Sequence, residues 1–202
     1  NMFSIKNALD SLGLNSQITS NQKNILEADG AVLPGVGSFP EAMHNLRELG
    51  LVNIIKDFIY SGKPFMGICL GFQLLFNKSE EFVNTEGLGI IEGSVENLSK
   101  KITSVPVPHV GWNKVIPQKL HDQKKIGFSP QFNLEKNNYF YFVHSFFVNP
   151  TKISDVFTVT QHGRFDFCSS VATENIFACQ FHPEKSGKQG LDLLYNFFCK
   201  EN

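Results

Sequence analysis

Short apolar segments of strand type alternate with amphipathic helical segments through the first half of the chain, and this alternation constrains the fold most strongly. Residues 27–34 and 64–69 are predicted as buried strands, since each is an apolar run bounded by turn residues. Strands that alternate with helices favour a parallel sheet covered on both faces. The first half therefore predicts an α/β architecture.

Helices are predicted before and between these strands. Ile5, Ala8, Leu9 and Leu12 recur at helical spacing ahead of Gly13. Ser38, followed three residues later by a glutamate, predicts a capping box at the start of a helix that runs to residue 49. Two further helices are predicted over residues 51–60 and 70–76.

The second half is mainly strand-like. Strands are predicted over residues 90–91, 105–110, 139–143, 156–160 and 176–181, followed by a helix over 191–199. We therefore expect one α/β domain over residues 1–202, with an antiparallel extension to the parallel sheet. Residues 118–136 are predicted as the mobile loop.

Composition excludes several classes of protein. A chain of 202 residues with 42% hydrophobic residues suits one globular domain, and a net charge of −1 leaves no basic excess for a nucleic acid. Its uncharged runs are shorter than the roughly 20 apolar residues needed to cross a bilayer. The four cysteines match neither a zinc site nor a disulfide framework, so we expect a cytoplasmic setting, no metal and no cofactor.

Gly67-Ile-Cys69-Leu-Gly71 lies where a buried strand turns into a helix. This pattern is typical of a nucleophile elbow with cysteine at its tip, because glycines permit the sharp turn that exposes the side chain. A helix amino terminus favours the thiolate, and the N–H of Leu70 would face an oxyanion. The alternative is a buried, inert cysteine.

Two other segments could contribute to a site. His182-Pro-Glu184 follows the last predicted strand, where the histidine could act as the base for Cys69 and the glutamate could orient it; the alternative is a surface turn. Pro34-Gly-Val-Gly-Ser38 could present a backbone N–H to an anion. No complete glycine motif for a nucleotide is present.

Five motifs in order resemble the class I glutamine amidotransferases, most closely the glutaminase subunits of imidazole glycerol phosphate synthase in histidine biosynthesis. They are Pro34-Gly-Val-Gly-Ser-Phe, Gly67-Ile-Cys-Leu-Gly-Phe-Gln-Leu-Leu-Phe, His109-Val-Gly-Trp-Asn, Tyr141-Phe-Val-His-Ser145 and Gln180-Phe-His-Pro-Glu-Lys-Ser-Gly187. The resemblance implies a flavodoxin-like sheet, mostly parallel with an antiparallel extension. It also implies a catalytic triad of Cys69, His182 and Glu184.

The same resemblance assigns further residues. It implies a glutamine site formed by Gln73, Glu81 and the backbone around His144, Ser145 and Phe146. It implies an oxyanion hole of Val36, Gly37 and Leu70, of which the first two belong to a strand that reorients on partner binding. It implies that Trp112, Asn113, Tyr141 and Lys185 face a (βα)8-barrel cyclase in a heterodimer.

The chain departs from the family pattern at two places. Family members begin with a strand and an Asp-Tyr-Gly-x-Gly-Asn loop, and Asn1 corresponds to the last residue of that loop, so we expect roughly ten further residues to precede it. Phe146 stands where tyrosine is usual, so only a backbone contact would survive there.

The implied reaction is hydrolysis of L-glutamine to glutamate and ammonia through a cysteine thioester. The ammonia would pass to the cyclase, which makes imidazole glycerol phosphate and AICAR. Three alternatives remain: a paralogue that supplies ammonia to another acceptor, such as a nucleotide-linked sugar in surface polysaccharide synthesis, a cysteine hydrolase of γ-glutamyl or peptide bonds, and a non-catalytic regulatory subunit.

Overall fold

The computed structural model describes residues 2–118 and 138–199, which contain six α-helices, three single-turn 3-10 helices and twelve strands. The helices are Met2–Ser11 (α1), Gln22–Glu27 (α2), Phe39–Glu48 (α3), Leu51–Tyr60 (α4), Leu70–Gln73 (α5) and Gly187–Phe198 (α6). The strands are Ala31–Leu33 (β1), Phe65–Ile68 (β2), Phe76–Ser79 (β3), Thr85–Glu86 (β4), Ile91–Asn97 (β5), His109–Lys114 (β6), Ile116–Pro117 (β7), Tyr139–His144 (β8), Phe146–Pro150 (β9), Val156–His162 (β10), Phe165–Ala172 (β11) and Ile176–Cys179 (β12).

Ten strands form one mixed sheet, and eight of them follow one another in the order β1-β2-β12-β11-β9-β5-β3-β4. β1, β2 and β12 are parallel, β11 and β9 continue the sheet in antiparallel pairing, and β5 and β3 are again parallel. β10 and β7 extend the sheet from β11. β6 and β8 form a separate antiparallel ribbon, with Trp112 opposite Tyr141.

The core lies on both faces of this sheet. α3 and α4 cover one face with Phe39, Met43, Phe58 and other buried side chains. α1 and α6 cover the opposite face, where Leu194 is fully buried. All four residues of β2 and of β12 are buried, as expected for parallel strands with helices on both sides. The predicted α/β fold with an antiparallel extension is confirmed.

Several predicted elements need correction. The predicted capping box is wrong: the Ser38 side chain makes no capping hydrogen bond, and the Phe39 N–H donates instead to a carboxylate oxygen of Glu81 at 2.7 Å. The helix predicted over 70–76 ends at Gln73, and Phe76 begins β3. In the predicted strand 105–110, only His109 and Val110 join the ladder, since two prolines nearby lack an N–H.

Five strands were not predicted at all, namely β3, β4, β7, β9 and β11. Most of the predicted mobile loop 118–136 lies outside the described residues, and only Gln118, whose N–H donates to the Phe157 carbonyl, can be placed. Within the two described ranges, no helix is long and apolar enough to span a membrane.

Candidate functional site

Cys69 lies at the tip of a sharp turn between β2 and α5. Its backbone has φ 55° and ψ −110°, and residues other than glycine rarely adopt a positive φ. The Cys69 N–H donates to the Cys179 carbonyl at 2.8 Å, which continues the β2–β12 pairing up to the turn. The side chain is half-buried, so the thiol is accessible at the carboxyl end of the sheet.

Glycines allow the backbones to meet closely around this turn. A Cβ on Gly71 would lie 1.8 Å from the Leu33 carbonyl oxygen, so α5 packs directly against the end of β1. A Cβ on Gly35 would lie 2.7 Å from the Cβ of Leu70. The loop after β1 therefore passes directly over the first residue of α5.

His182 and Glu184 form a buried pair beyond the end of β12. The His182 Nδ1 lies 2.8 Å from the Glu184 Oε1, and the two side chains are 6% and 1% exposed. Two hydrogen bonds fix the backbone of His182. The His182 N–H donates to the Tyr141 carbonyl, and the His182 carbonyl accepts from the Ser186 hydroxyl. The sequence therefore folds His182-Pro-Glu184 into a buried orienting pair, in place of a surface turn.

Cys69 and His182 are electrostatically coupled. Burial alone would lower the pKa of His182, but interactions with Cys69 and Glu184 outweigh it and raise the pKa to about 9. The imidazole is therefore protonated at neutral pH. The structure brings together the three side chains predicted as a triad.

Gln73 lies beside this group, on the last turn of α5. Its Nε2 donates to the Phe146 carbonyl at 3.1 Å and to the Gln180 Oε1 at 2.9 Å. Glu81 follows β3 in the chain, and its carboxylate lies at the amino terminus of α3, where it accepts from the Phe39 N–H. Burial raises the pKa of Glu81, and this hydrogen bond partly opposes the rise.

The segment from His144 to Phe146 joins β8 to β9 close to Gln73. The His144 Nδ1 lies 2.8 Å from the Phe146 carbonyl, and the Ser145 carbonyl accepts from the Leu98 N–H. The His144 Nε2 lies 3.0 Å from the Nδ1 of His109. Burial is the main cause that lowers the pKa of His109 to about 4 and of His144 to about 3, so both are neutral.

The residues predicted as an oxyanion hole lie on both sides of the Gly35–Leu70 contact. Val36 is 71% exposed, and Gly37 has φ 95°, which favours glycine. Leu70, in contrast, is buried at the start of α5.

Three of the four residues predicted to face a partner form one group. The rings of Trp112 and Tyr141 are 6.3 Å apart, and the Lys185 ammonium lies 5.9 Å from the centre of the Tyr141 ring. We call the outward surface of β6 and β8 with Lys185 the aromatic face. Asn113 points to the opposite side of the ribbon, where it donates to the Gln161 carbonyl and contacts the His109 ring.

Sequence analysis missed Gln180 and His109 as members of the site. Gln180 directly follows β12 and lies two residues before His182, and on the strand predicted over residues 176–181 this spacing was a signal that Gln180 faces the same side as His182. Among the described residues, no group of three or more histidine, cysteine, aspartate or glutamate side chains could hold a metal ion.

Comparison with known proteins adds a family assignment to this geometry. The chain matches the glutamine amidotransferase class-I family over residues 1–201. It is 45% identical over 198 residues to the imidazole glycerol phosphate synthase subunit HisH of Aquifex aeolicus, covering 98% of this chain and 90% of the relative. The same subunit of Listeria innocua is 42% identical, with 98% and 89% covered.

Solved structures share the fold at much lower identity. A crystal structure of a glutamine amidotransferase superposes with a TM-score of 0.67 at 17% identity, covering 98% of this chain and 92% of that one. The glutaminase domain of Trypanosoma brucei CTPS with bound acivicin gives a TM-score of 0.61 at 17% identity, covering 100% and 88%.

Proposed function

Because the chain belongs to the glutamine amidotransferase class-I family and, within it, to the imidazole glycerol phosphate synthase subunits HisH, we propose that it hydrolyses L-glutamine at Cys69 and passes the ammonia to a cyclase subunit. The observation that carries this proposal is the strained turn at Cys69 beside the buried His182–Glu184 pair. A thiol held this way is arranged for nucleophilic attack.

The proposed reaction has two steps. The Cys69 sulfur attacks the side-chain carboxamide carbon of glutamine, and the protonated His182 gives its proton to the departing ammonia as the C–N bond breaks. A γ-glutamyl thioester remains. Neutral His182 then removes a proton from water, and the resulting hydroxide attacks the thioester carbon. The C–S bond breaks, glutamate is released, and Cys69 leaves as the thiolate beside a protonated His182, as at the start.

The backbone supplies the oxyanion donors in this proposal. The Leu70 N–H and one N–H from the Val36–Gly37 segment stabilise the tetrahedral oxyanion. Exposure of Val36 and the left-handed Gly37 suit a peptide that turns when a partner docks. One such donor is worth about 10²–10³ in rate, so docking could control turnover without moving Cys69.

Residues around Cys69 would bind the rest of the substrate. Glu81, a buried carboxylate, suits the α-ammonium group of glutamine, and the backbone around His144, Ser145 and Phe146 suits its carboxylate. Gln73 contacts the Phe146 carbonyl and Gln180, the residue that reaches Cys69. Phe146 contributes no hydroxyl, so its part is a backbone contact.

The partner in this proposal is a (βα)8-barrel cyclase that forms a heterodimer and makes imidazole glycerol phosphate and AICAR, so the lyase step belongs to that partner. The aromatic face, with exposed Trp112 and Lys185, is the proposed docking surface. The names of the full-length relatives favour this acceptor over a nucleotide-linked sugar. Free thiols at all four cysteines suit the cytoplasm.

The test measures glutamate release by the purified subunit, alone and with the cyclase bound to an analogue of its nucleotide substrate. We expect strong stimulation by the loaded cyclase, and complete loss in Cys69→Ala with partner binding retained. Cys199→Ala, at the end of α6, is the matched control and should keep wild-type turnover. Equal turnover with and without cyclase would contradict partner control, and turnover in Cys69→Ala would reject the nucleophile.

A further inference from the structure

Gln180 is a buried glutamine whose side chain reaches the candidate nucleophile. Its exposed fraction is 0%, and its Nε2 lies 3.7 Å from the Cys69 Sγ. The Cys69 thiol also lies 3.9 Å from the Val143 carbonyl, which can only accept. The sulfur is therefore placed between one amide group and one carbonyl.

A backbone carbonyl fixes which way the Gln180 amide points. The Phe146 carbonyl can only accept, so the Gln73 atom 3.1 Å away is its amide nitrogen. The same nitrogen donates to Gln180 at 2.9 Å, which requires the Gln180 oxygen there. The remaining Gln180 atom, which faces Cys69, is consequently an N–H donor.

The Phe146 carbonyl accepts from a second donor besides Gln73. The Nδ1–H of His144 also donates to the Phe146 oxygen, and His144 accepts in turn from the Nδ1–H of His109. Asn113 completes the row, since its amide nitrogen lies 3.1 Å from the His109 Nε2. Each donor therefore meets an acceptor, and a flipped Gln180 amide would place its N–H groups against those of Gln73.

From this arrangement we propose that Gln180 is a further catalytic residue, whose amide N–H donates to the Cys69 sulfur and stabilises its thiolate form. This inference rests on the proposed glutaminase function. The donor acts before attack, when it favours the thiolate, and again when water has added and the C–S bond breaks, because the sulfur then leaves with the bonding electron pair. In the neutral thioester the same N–H has little charge to stabilise.

Other ionisable groups also surround this sulfur. His182 with Glu184 approaches from the turn after β12, and the Cys179 thiol lies on β12 itself. Burial first, and then Glu184 and Cys69, raise the pKa of Cys179 well above its usual value, so this thiol stays neutral. A test of Gln180 must therefore leave all three of these groups unchanged.

The experiment follows alkylation of Cys69 by iodoacetamide against pH, with peptide mapping to separate it from Cys199, in the full-length subunit bound to its cyclase. Gln180→Glu keeps an oxygen for Gln73 but places a second oxygen against the sulfur, and Gln180→Met removes both groups at similar volume. Thr160→Val, which changes a buried hydroxyl on β10 without a hydrogen bond among the described residues, is the matched control.

We expect the alkylation midpoint of Gln180→Met to move up by about one pH unit, the midpoint of Gln180→Glu to move further, and glutamine turnover to fall about tenfold or more. The control should retain the wild-type midpoint. An unchanged midpoint in either folded Gln180 variant would overturn the proposal. A wild-type protein that alkylates normally at Cys69 but releases no ammonia would refute the proposed function alone.

Discussion

Cys69 carries backbone strain that the surrounding structure imposes. Its φ of 55° brings the Cβ close to its own backbone, a conformation that costs about 1–3 kcal/mol for a residue other than glycine. β2 holds it on one side and the close Gly71–Leu33 packing on the other. The strained position is therefore fixed by both neighbouring elements, and the side chain is half-buried beside Gln180.

Glycine is usually less stabilising than alanine, and the strain at Cys69 predicts the reverse order. Cys69→Gly should be more stable than Cys69→Ala by about 1 kcal/mol, because glycine adopts a positive φ without the steric cost. Urea unfolding of the two variants at neutral pH measures this difference. Both remove the thiol, so lost packing of the sulfur cancels between them. Cys69→Ala as the more stable variant would contradict the strain.

At the scale of elements, the amino terminus of α3 is capped by a residue distant in sequence. Ser38 precedes the helix but makes no capping hydrogen bond, and Glu81, which follows β3, satisfies the Phe39 N–H. The helix that follows the Val36–Gly37 segment is thus anchored by a residue far along the chain. The same carboxylate is the proposed partner of the substrate ammonium.

Three substitutions distinguish a cap by Ser38 from a cap by Glu81. Ser38→Ala should change the free energy of unfolding by less than about 0.5 kcal/mol, whereas Glu81→Leu should lower it by about 1 kcal/mol or more, as the loss of a helix cap does. Glu81→Gln retains a carbonyl acceptor and should lie between them. A loss of about 1 kcal/mol in Ser38→Ala would restore the capping box.

Local pattern predicted the elements whose cause is local. α1 has apolar residues at helical spacing, and the turn at Cys69 has its glycines in sequence, so both could be found. β11 could not, because six of its eight residues are buried between neighbouring strands and include Cys168, Ser169 and Ser170, which give no alternation. The cap of α3 and the Gln180 contact depend on residues distant in sequence.

For the whole molecule, His109 and His144 couple stability to pH. Burial lowers their pKa values in the folded protein to about 4 and about 3, whereas the unfolded chain has values near 6.5. Below pH 6.5 the unfolded chain therefore binds protons that the folded protein does not. As the pH decreases from 6.5, the free energy of unfolding decreases until the folded pKa values are reached. His182, with a raised pKa, contributes stability below pH 6.5 that is lost toward pH 9.

This linkage predicts a loss of about 2 kcal/mol between about pH 6.5 and 5.5 from the two buried histidines. His109→Gln keeps hydrogen-bonding capacity without a titrating ring and should show about half of that loss. Urea unfolding at a series of pH values measures both slopes. His182 is protonated in the folded protein over this interval but only partly in the unfolded chain, so it offsets a small part of the loss, and it does so equally in both proteins. Equal slopes in the two proteins would contradict the neutral state of His109.

Trp112 is the sole tryptophan of the 202 residues, and it is 54% exposed on the aromatic face. The tryptophan fluorescence of this chain therefore comes entirely from the proposed docking surface. An indole that leaves water emits at shorter wavelength, so the protein carries an intrinsic optical reporter at the place where a partner would cover it. Assembly and dissociation can be followed at micromolar concentration in an unlabelled chain, and quenching by added iodide would distinguish the covered from the open face.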